Sequence, residues 1–181
     1  MSASQKVLST RRIYEGKIIG VREDTVLLEN QRATTREVVE HNGGVGILAI
    51  GPRDTLLMVR QHRTGAGKAL LEIPAGKRDK DEAPMTCGIR ELEEETGYKA
   101  EVFMPMGYLY PTPAYCEEVI YLFYAKNLIK TAQHLDENEF LEVEEIPFSQ
   151  ALEMVLNGEI TDAKSQIAIL KYHELNRRGM A

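Results

Sequence analysis

The sequence predicts an α/β protein: a mixed central sheet sandwiched between helices, with a small antiparallel β-element ahead of it. Three observations carry this expectation. Short β-prone runs fill the first third of the chain, a strongly patterned helix follows them, and two more helices close the chain after a further set of strands. Strands in the middle with helices on either side suit a sheet covered on both faces.

Residues 1–11 read as a loose leader. Arg12–Ile18, Val21–Leu28 and Arg36–Glu40 are β-prone runs separated by turn formers at Gly20, Asn30 and Asn42-Gly43-Gly44, and they predict the N-terminal antiparallel sheet. Val45–Ile50, Leu56–Arg60 and Leu70–Ile73 are apolar runs bounded by turns, as buried strands are. Ala83–Thr96 predicts a helix, with Pro84 in its first turn and Gly97 as its left-handed terminator. Met85, Ile89 and Leu92 recur at helical spacing and are expected to form its core face. Val119–Ala125 and Phe140–Val143 predict strands. Ser149–Leu156 predicts a helix capped by Ser149, and Ala163–Leu175 one capped by Asp162. The expected division is an N-terminal β-element over residues 1–43 and a second domain over 44–181.

The chain has 181 residues, is 43% hydrophobic and carries a net charge of -6. The acidic balance argues against nucleic acid as a partner, though bound cations can bridge two sets of negative charges. No apolar run reaches the roughly 20 residues needed to cross a bilayer, so no membrane partner is expected. Cys87 and Cys116 are too few for a disulfide framework and read as free thiols; a cytoplasmic location is the default. The four histidines have no metal-ligand spacing, which excludes a zinc cluster.

Chemistry concentrates in Gly76–Tyr98, which reads G-x5-E-x7-R-E-L-x-E-E-x-G-Y. Glu91, Glu94 and Glu95 stand at i, i+3 and i+4, so they share one helix face. Like charges there repel, close to a helix C-terminus that already disfavours them. Arg90 can pair with Glu94 at i+4, and a divalent cation would relieve more. A Glu-rich face alone is most often simply solvated. Seven specified positions in one window are another matter, with a chance match on the order of 10⁻⁸ at a given start from average residue usage.

The stretch resembles the Nudix box, and by it the chain is identified as a member of the Nudix hydrolases. The resemblance implies a Nudix-type α/β/α sandwich in which Glu91, Glu94 and Glu95, with the Ala75 carbonyl, hold Mg2+, with Mn2+ as a substitute. It implies that Glu82 pairs with Arg90 and that Gly76 and Gly97 shape the two flanking loops. Segments outside the box resemble the ADP-ribose pyrophosphatase, or nucleoside-diphosphate-sugar hydrolase, branch. These are Glu72-Ile73-Pro74-Ala75-Gly76, Val59-Arg60-Gln61-His62-Arg63, and Tyr110–Glu118 with Pro113 sixteen residues beyond Gly97. Asp136–Val143 is similar to that branch's acidic loop, which implies Glu137 as catalytic base and Glu139 as a metal ligand. Arg36, Arg60, Arg63, Glu72, Pro113 and Glu118 are the implied substrate contacts.

The expected reaction is metal-dependent hydrolysis of a nucleoside diphosphate sugar, foremost ADP-ribose to AMP and ribose 5-phosphate, by a homodimer. Ala114 stands where the branch pattern has glycine, and Lys17 where some relatives place an aromatic ring. Both keep GDP-mannose or another sugar nucleotide open as the substrate. A non-catalytic ligand sensor of the same fold is the remaining alternative. It is disfavoured because such modules usually lose box glutamates, and this chain keeps all of them.

Overall fold

A computed structural model describes residues 5–180. The chain divides into two compact units, one made of the residues up to Gly43 with Tyr110–Val119, the other of Gly44–Leu109 with Ile120 onward.

The first unit is a three-stranded antiparallel meander of β1 (Lys6–Glu15), β2 (Gly20–Leu27) and β3 (Ala33–Glu40). The leader expected over residues 1–11 lies partly outside the described residues. Within them it is corrected, because Lys6–Arg11 is strand and pairs with Glu23–Leu27. Every residue of β1 is exposed, so no buried face imposes the alternation by which a strand is read from sequence. Asp24 is buried and accepts from the Thr10 hydroxyl at 2.7 Å and from Arg22 Nε at 3.1 Å. Arg22 also pairs with Glu40 at 3.0 Å and Glu117 at 2.9 Å. Tyr110–Val119 is tied to β3 by backbone: Val39 N–H donates to Tyr115 O, and Glu117 N–H to Val39 O.

The second unit is built on a seven-stranded mixed sheet. It contains β4 (Gly44–Gly51), β5 (Thr55–Arg63), β6 (Lys68–Glu72), β7 (Ala75–Lys77), β8 (Tyr98–Leu109), β9 (Ile120–Lys130) and β10 (Leu141–Pro147). The order is β10-β5-β4-β9-β8, with β6 on β5 and β7 on β4. Only β4 and β9 run parallel. Three helices complete the unit: α1 (Pro84–Thr96), α2 (Phe148–Leu156) and α3 (Ala163–Arg177).

Residues of β4 alternate between two cores. Leu48 and Ile50 join Ile169 and Tyr172 of α3 and Phe148 and Val155 of α2, while Val45, Ile47 and Ala49 join Cys87 and Leu92 of α1. The sheet therefore lies between α1 on one face and α2 with α3 on the other, the sandwich the sequence predicts.

Several local expectations are corrected. On α1, Met85 and Ile89 are 44% and 45% exposed, and the buried face is Cys87, Gly88, Glu91, Leu92, Glu95 and Thr96. Small residues let the helix approach closely there; a Cβ on Gly88 would stand 2.9 Å from the Phe103 ring. The start of α2 is preceded by Pro147, and Ser149 makes no side-chain cap. The strand expected from Phe140 begins at Leu141, leaving Phe140 82% exposed. Asp162 does cap α3, accepting from Ser165 N–H at 2.9 Å.

Candidate active site

The site begins with a divergence in the sheet. β4 and β5 pair only near their connecting turn, from Ala49–Leu57 to Gly51–Thr55. Beyond it β4 takes β7 and β5 takes β6 as new partners. The segment Ile73-Pro74 joins β6 to β7 between them, and its backbone is held from three sides. Ile47 N–H donates to Pro74 O at 2.8 Å, Ile73 N–H to Ser165 Oγ at 2.9 Å, and Ala75 N–H to Glu95 Oε2 at 2.8 Å.

Next in the chain, Glu82 and Arg90 lock the loop before α1 to the helix. Arg90 Nε and Nη2 each donate to a Glu82 oxygen at 3.0 Å, a two-point pairing of guanidinium and carboxylate. Arg90 holds the Glu82 carboxyl down at about 2. Arg90 Nη1 also reaches Glu94 at 2.7 Å and Glu91 at 2.8 Å. The left-handed Gly97 (φ +70°) ends the helix, its N–H donating to Glu93 O. Gly76 has another role. Its missing side chain leaves room for Glu91, whose Cδ would stand 1.8 Å from a Cβ at that position.

Glu91, Glu94, Ala75, Gly76, Arg63 and Glu139 line one open cavity of about 520 Å³, along with Lys77, Asp79, Arg90 and Asp136. Glu95 lies beneath it, fully buried. Burial pushes the Glu91 carboxyl up to about 7 against the pull of Arg90, with the charges of Glu94 and Glu139 adding to the rise. Burial pushes Glu95 up to about 8, opposed by the Ala75 N–H and reinforced by Glu139 and Glu91. Carboxylates that resist ionisation together are ones a cation would relieve. The donors are all oxygen, which suits Mg2+ or Mn2+ rather than zinc or copper. Among the described residues no three acidic, His or Cys side chains already form a metal cage. Arg90 and the Ala75 N–H occupy the carboxylates instead.

The other expected residues separate into groups. Arg63 grips the buried Glu72 with Nε at 2.8 Å and Nη2 at 2.6 Å. Burial raises the Glu72 carboxyl, but Arg63 and Lys164 outweigh it and the net shift is downward. Arg60 is paired with Glu144 at 2.5 Å and faces a neighbouring hollow with Phe140 and Glu142. On the acidic loop Glu139 reaches the cavity, whereas Glu137 is exposed and does not line it. In the N-terminal unit, Arg36 is exposed, donating to the Thr35 carbonyl, and Pro113 is exposed. Glu118 approaches His41 at 3.4 Å.

Sequence reasoning missed Lys164 and Ser165, and included Gln61 within the Val59–Arg63 segment without giving it a role. Lys164 Nζ lies 2.5 Å from Glu72 Oε2, and Gln61 Nε2 donates to Glu95 at 3.4 Å. Nothing local marks Lys164, which meets Glu72 across 92 residues.

Comparison with known proteins agrees with this geometry. The NUDIX domain family matches residues 40–166, and the family described as nucleoside diphosphate sugar hydrolase N-terminal domain matches residues 6–39. An ADP-ribose pyrophosphatase of Bacillus subtilis (strain 168) is 38% identical over 170 residues, 93% of this chain and 92% of its own. A methanol dehydrogenase activator of Bacillus methanolicus is 37% identical over 167 residues, 91% and 90% of the two chains. The crystal structure of an ADP compounds hydrolase shares the fold, with a TM-score of 0.86 at 21% identity across all of both chains. Box, sheet and relatives together place this chain in the Nudix hydrolases, in the branch of nucleoside-diphosphate-sugar hydrolases and ADP-ribose pyrophosphatases.

Proposed function

We propose that the protein hydrolyses the diphosphate bond of a nucleoside diphosphate sugar, with ADP-ribose, cleaved to AMP and ribose 5-phosphate, the preferred substrate. The observation that carries this reading is the cavity where acidic oxygens and the Arg63 guanidinium meet. That combination suits a diphosphate brought in with its cation. The B. subtilis relative's name supports the choice of ADP-ribose.

Glu91, Glu94, Glu95 and Glu139, with the Ala75 carbonyl, are the groups that would hold Mg2+ or Mn2+. When bound, the cation neutralises diphosphate charge and lowers the pKa of a water. The chain's own groups do the rest. Arg90 sets the directions of Glu91 and Glu94, and the Ala75 N–H fixes Glu95. Arg63 presents its free edge to the diphosphate. Glu137 takes the water's proton, which requires the loop to move, since the carboxylates now in the cavity from that loop are Asp136 and Glu139. Arg36, Arg60, Glu72, Pro113 and Glu118 are further proposed substrate contacts, to be tested by the effect of their alanine variants on KM. A homodimer is proposed as the active assembly.

The test is a panel of sugar nucleotides, including ADP-ribose and GDP-mannose, incubated with Mg2+ and read by product identity. The expected result is the highest kcat/KM for ADP-ribose, giving AMP and ribose 5-phosphate. Preference for GDP-mannose would replace the substrate, and no cleavage of any diphosphate would overturn the reading. Glu91→Gln and Glu95→Gln are expected to lose nearly all turnover while keeping the fold. Turnover close to wild type in either would remove the box glutamates from the chemistry.

A further inference from the structure

We propose that Lys164, in the first turn of α3, is a positioning residue of the site, fixing the Glu72 carboxylate that in turn fixes Arg63 at the cavity wall. The inference rests on reading Arg63 as the anion contact.

The geometry is a chain of charged contacts running from the core to the cavity. Glu72 is 1% exposed and shares its Oε2 between Lys164 Nζ at 2.5 Å and Arg63 Nη2 at 2.6 Å, while its Oε1 takes Arg63 Nε at 2.8 Å. Lys164 is itself buried and lies 3.1 Å from Asp162 Oδ2. Asp162 is held in turn by the Ser165 hydroxyl and N–H. The far end of the chain is Arg63, on the cavity wall with Glu91, Glu94 and Glu139.

Lys164 and Glu72 differ from a merely structural pair in two respects. First, the lysine is expensive where it stands. A buried ammonium loses hydration, and a cation in the first turn of a helix opposes the macrodipole. Apolar side chains of similar volume commonly replace buried ion pairs without loss of stability. Second, the contacts hold Glu72 from two directions. Lys164 fixes its Oε2 from the core side while Arg63 takes both oxygens, so the plane of the guanidinium at the cavity wall follows the plane of a carboxylate that cannot turn.

The experiment compares K164M, K164R, R63A and the double variant R63A/K164M, using the sugar nucleotide that wild type hydrolyses best. K164M is expected to raise KM about tenfold with kcat within about twofold, the signature of lost binding common to ground and transition states. K164R is expected to recover most of the loss. The double variant is expected to be no worse than R63A, because both changes act through one guanidinium. Independently of turnover, the Arg63 Nε–Hε nuclear magnetic resonance signal is expected to shift and broaden in K164M. Should K164M fail to fold, K164Q leaves Glu72 in place with an amide donor toward it, and is expected to raise KM about threefold and to shift the Arg63 signal in the same direction. An unmoved Arg63 signal, an unchanged KM, or KM effects that multiply in the double variant would overturn the inference. Wild-type protein inert toward every sugar nucleotide would instead overturn the hydrolase reading, leaving the Arg63 signal to decide whether Lys164 positions it.

Discussion

Among the glycines of the described residues, the closest approach is that of Glu91 to Gly76. Only a hydrogen fits between them, since a Cβ would lie 1.8 Å from the carboxylate carbon. Gly76→Ala is therefore expected to push Glu91 aside and lower kcat/KM about 100-fold, the order seen when a reacting group moves by about 1 Å. Its melting temperature should stay near wild type, because the displaced side chain borders an open cavity; a calorimetric scan beside the kinetics checks both. Glu82 gives a prediction in pH. Its folded pKa of about 2 lies below the ordinary value of 4.5. The stability it contributes is then fully present above pH 4.5 and is lost as pH falls through the folded value. Glu82→Gln should flatten that acid limb in denaturation curves between about pH 5 and pH 2. Both residues were legible in the sequence because the box fixes their identities and spacing. Lys164 was not, because its meaning comes from a partner 92 residues away.

Among the elements, α1 shows where periodicity misleads. Met85, Ile89 and Leu92 mark an apolar stripe, yet two of the three lie on the exposed side and the helix buries Cys87, Gly88 and two glutamates instead. The helix turns Glu91 and Glu95 toward the core edge and its Met85 and Ile89 outward, so burial follows the small and acidic side rather than the apolar stripe. Leu92→Ala is expected to cost about 2–5 kcal/mol, whereas Met85→Ala should stay within about 0.5 kcal/mol, as chemical denaturation would show. β8 escaped sequence reading for a related reason. Charged residues, Pro105 and a register shift near Gly107 break its alternation, and its identity comes from pairing with β9 along nearly its full length. The apolar β4 and the capped α3 were legible because burial and capping each leave a local signature.

For the whole molecule, the two units differ in how well they satisfy themselves. The second carries both cores. The first leaves Val7, Leu8, Ile13 and Tyr14 of β1 at least half exposed, which is unusual for a sheet left alone in water. If the proposed homodimer forms through β1, the protein should sediment as a dimer and the double variant Leu8→Glu/Ile13→Glu as a monomer. A wild-type monomer at micromolar concentration would end that proposal. The burial of Glu95 has a consequence of a different kind. A carboxyl held at about 8 is one whose charge the folded chain resists, so a neutral isostere there should tighten the metal-free protein even as it disables it. Thermal tolerance and turnover then pull against each other at this helix. A laboratory selection for heat resistance alone would drift toward sturdier proteins that no longer cut their substrate.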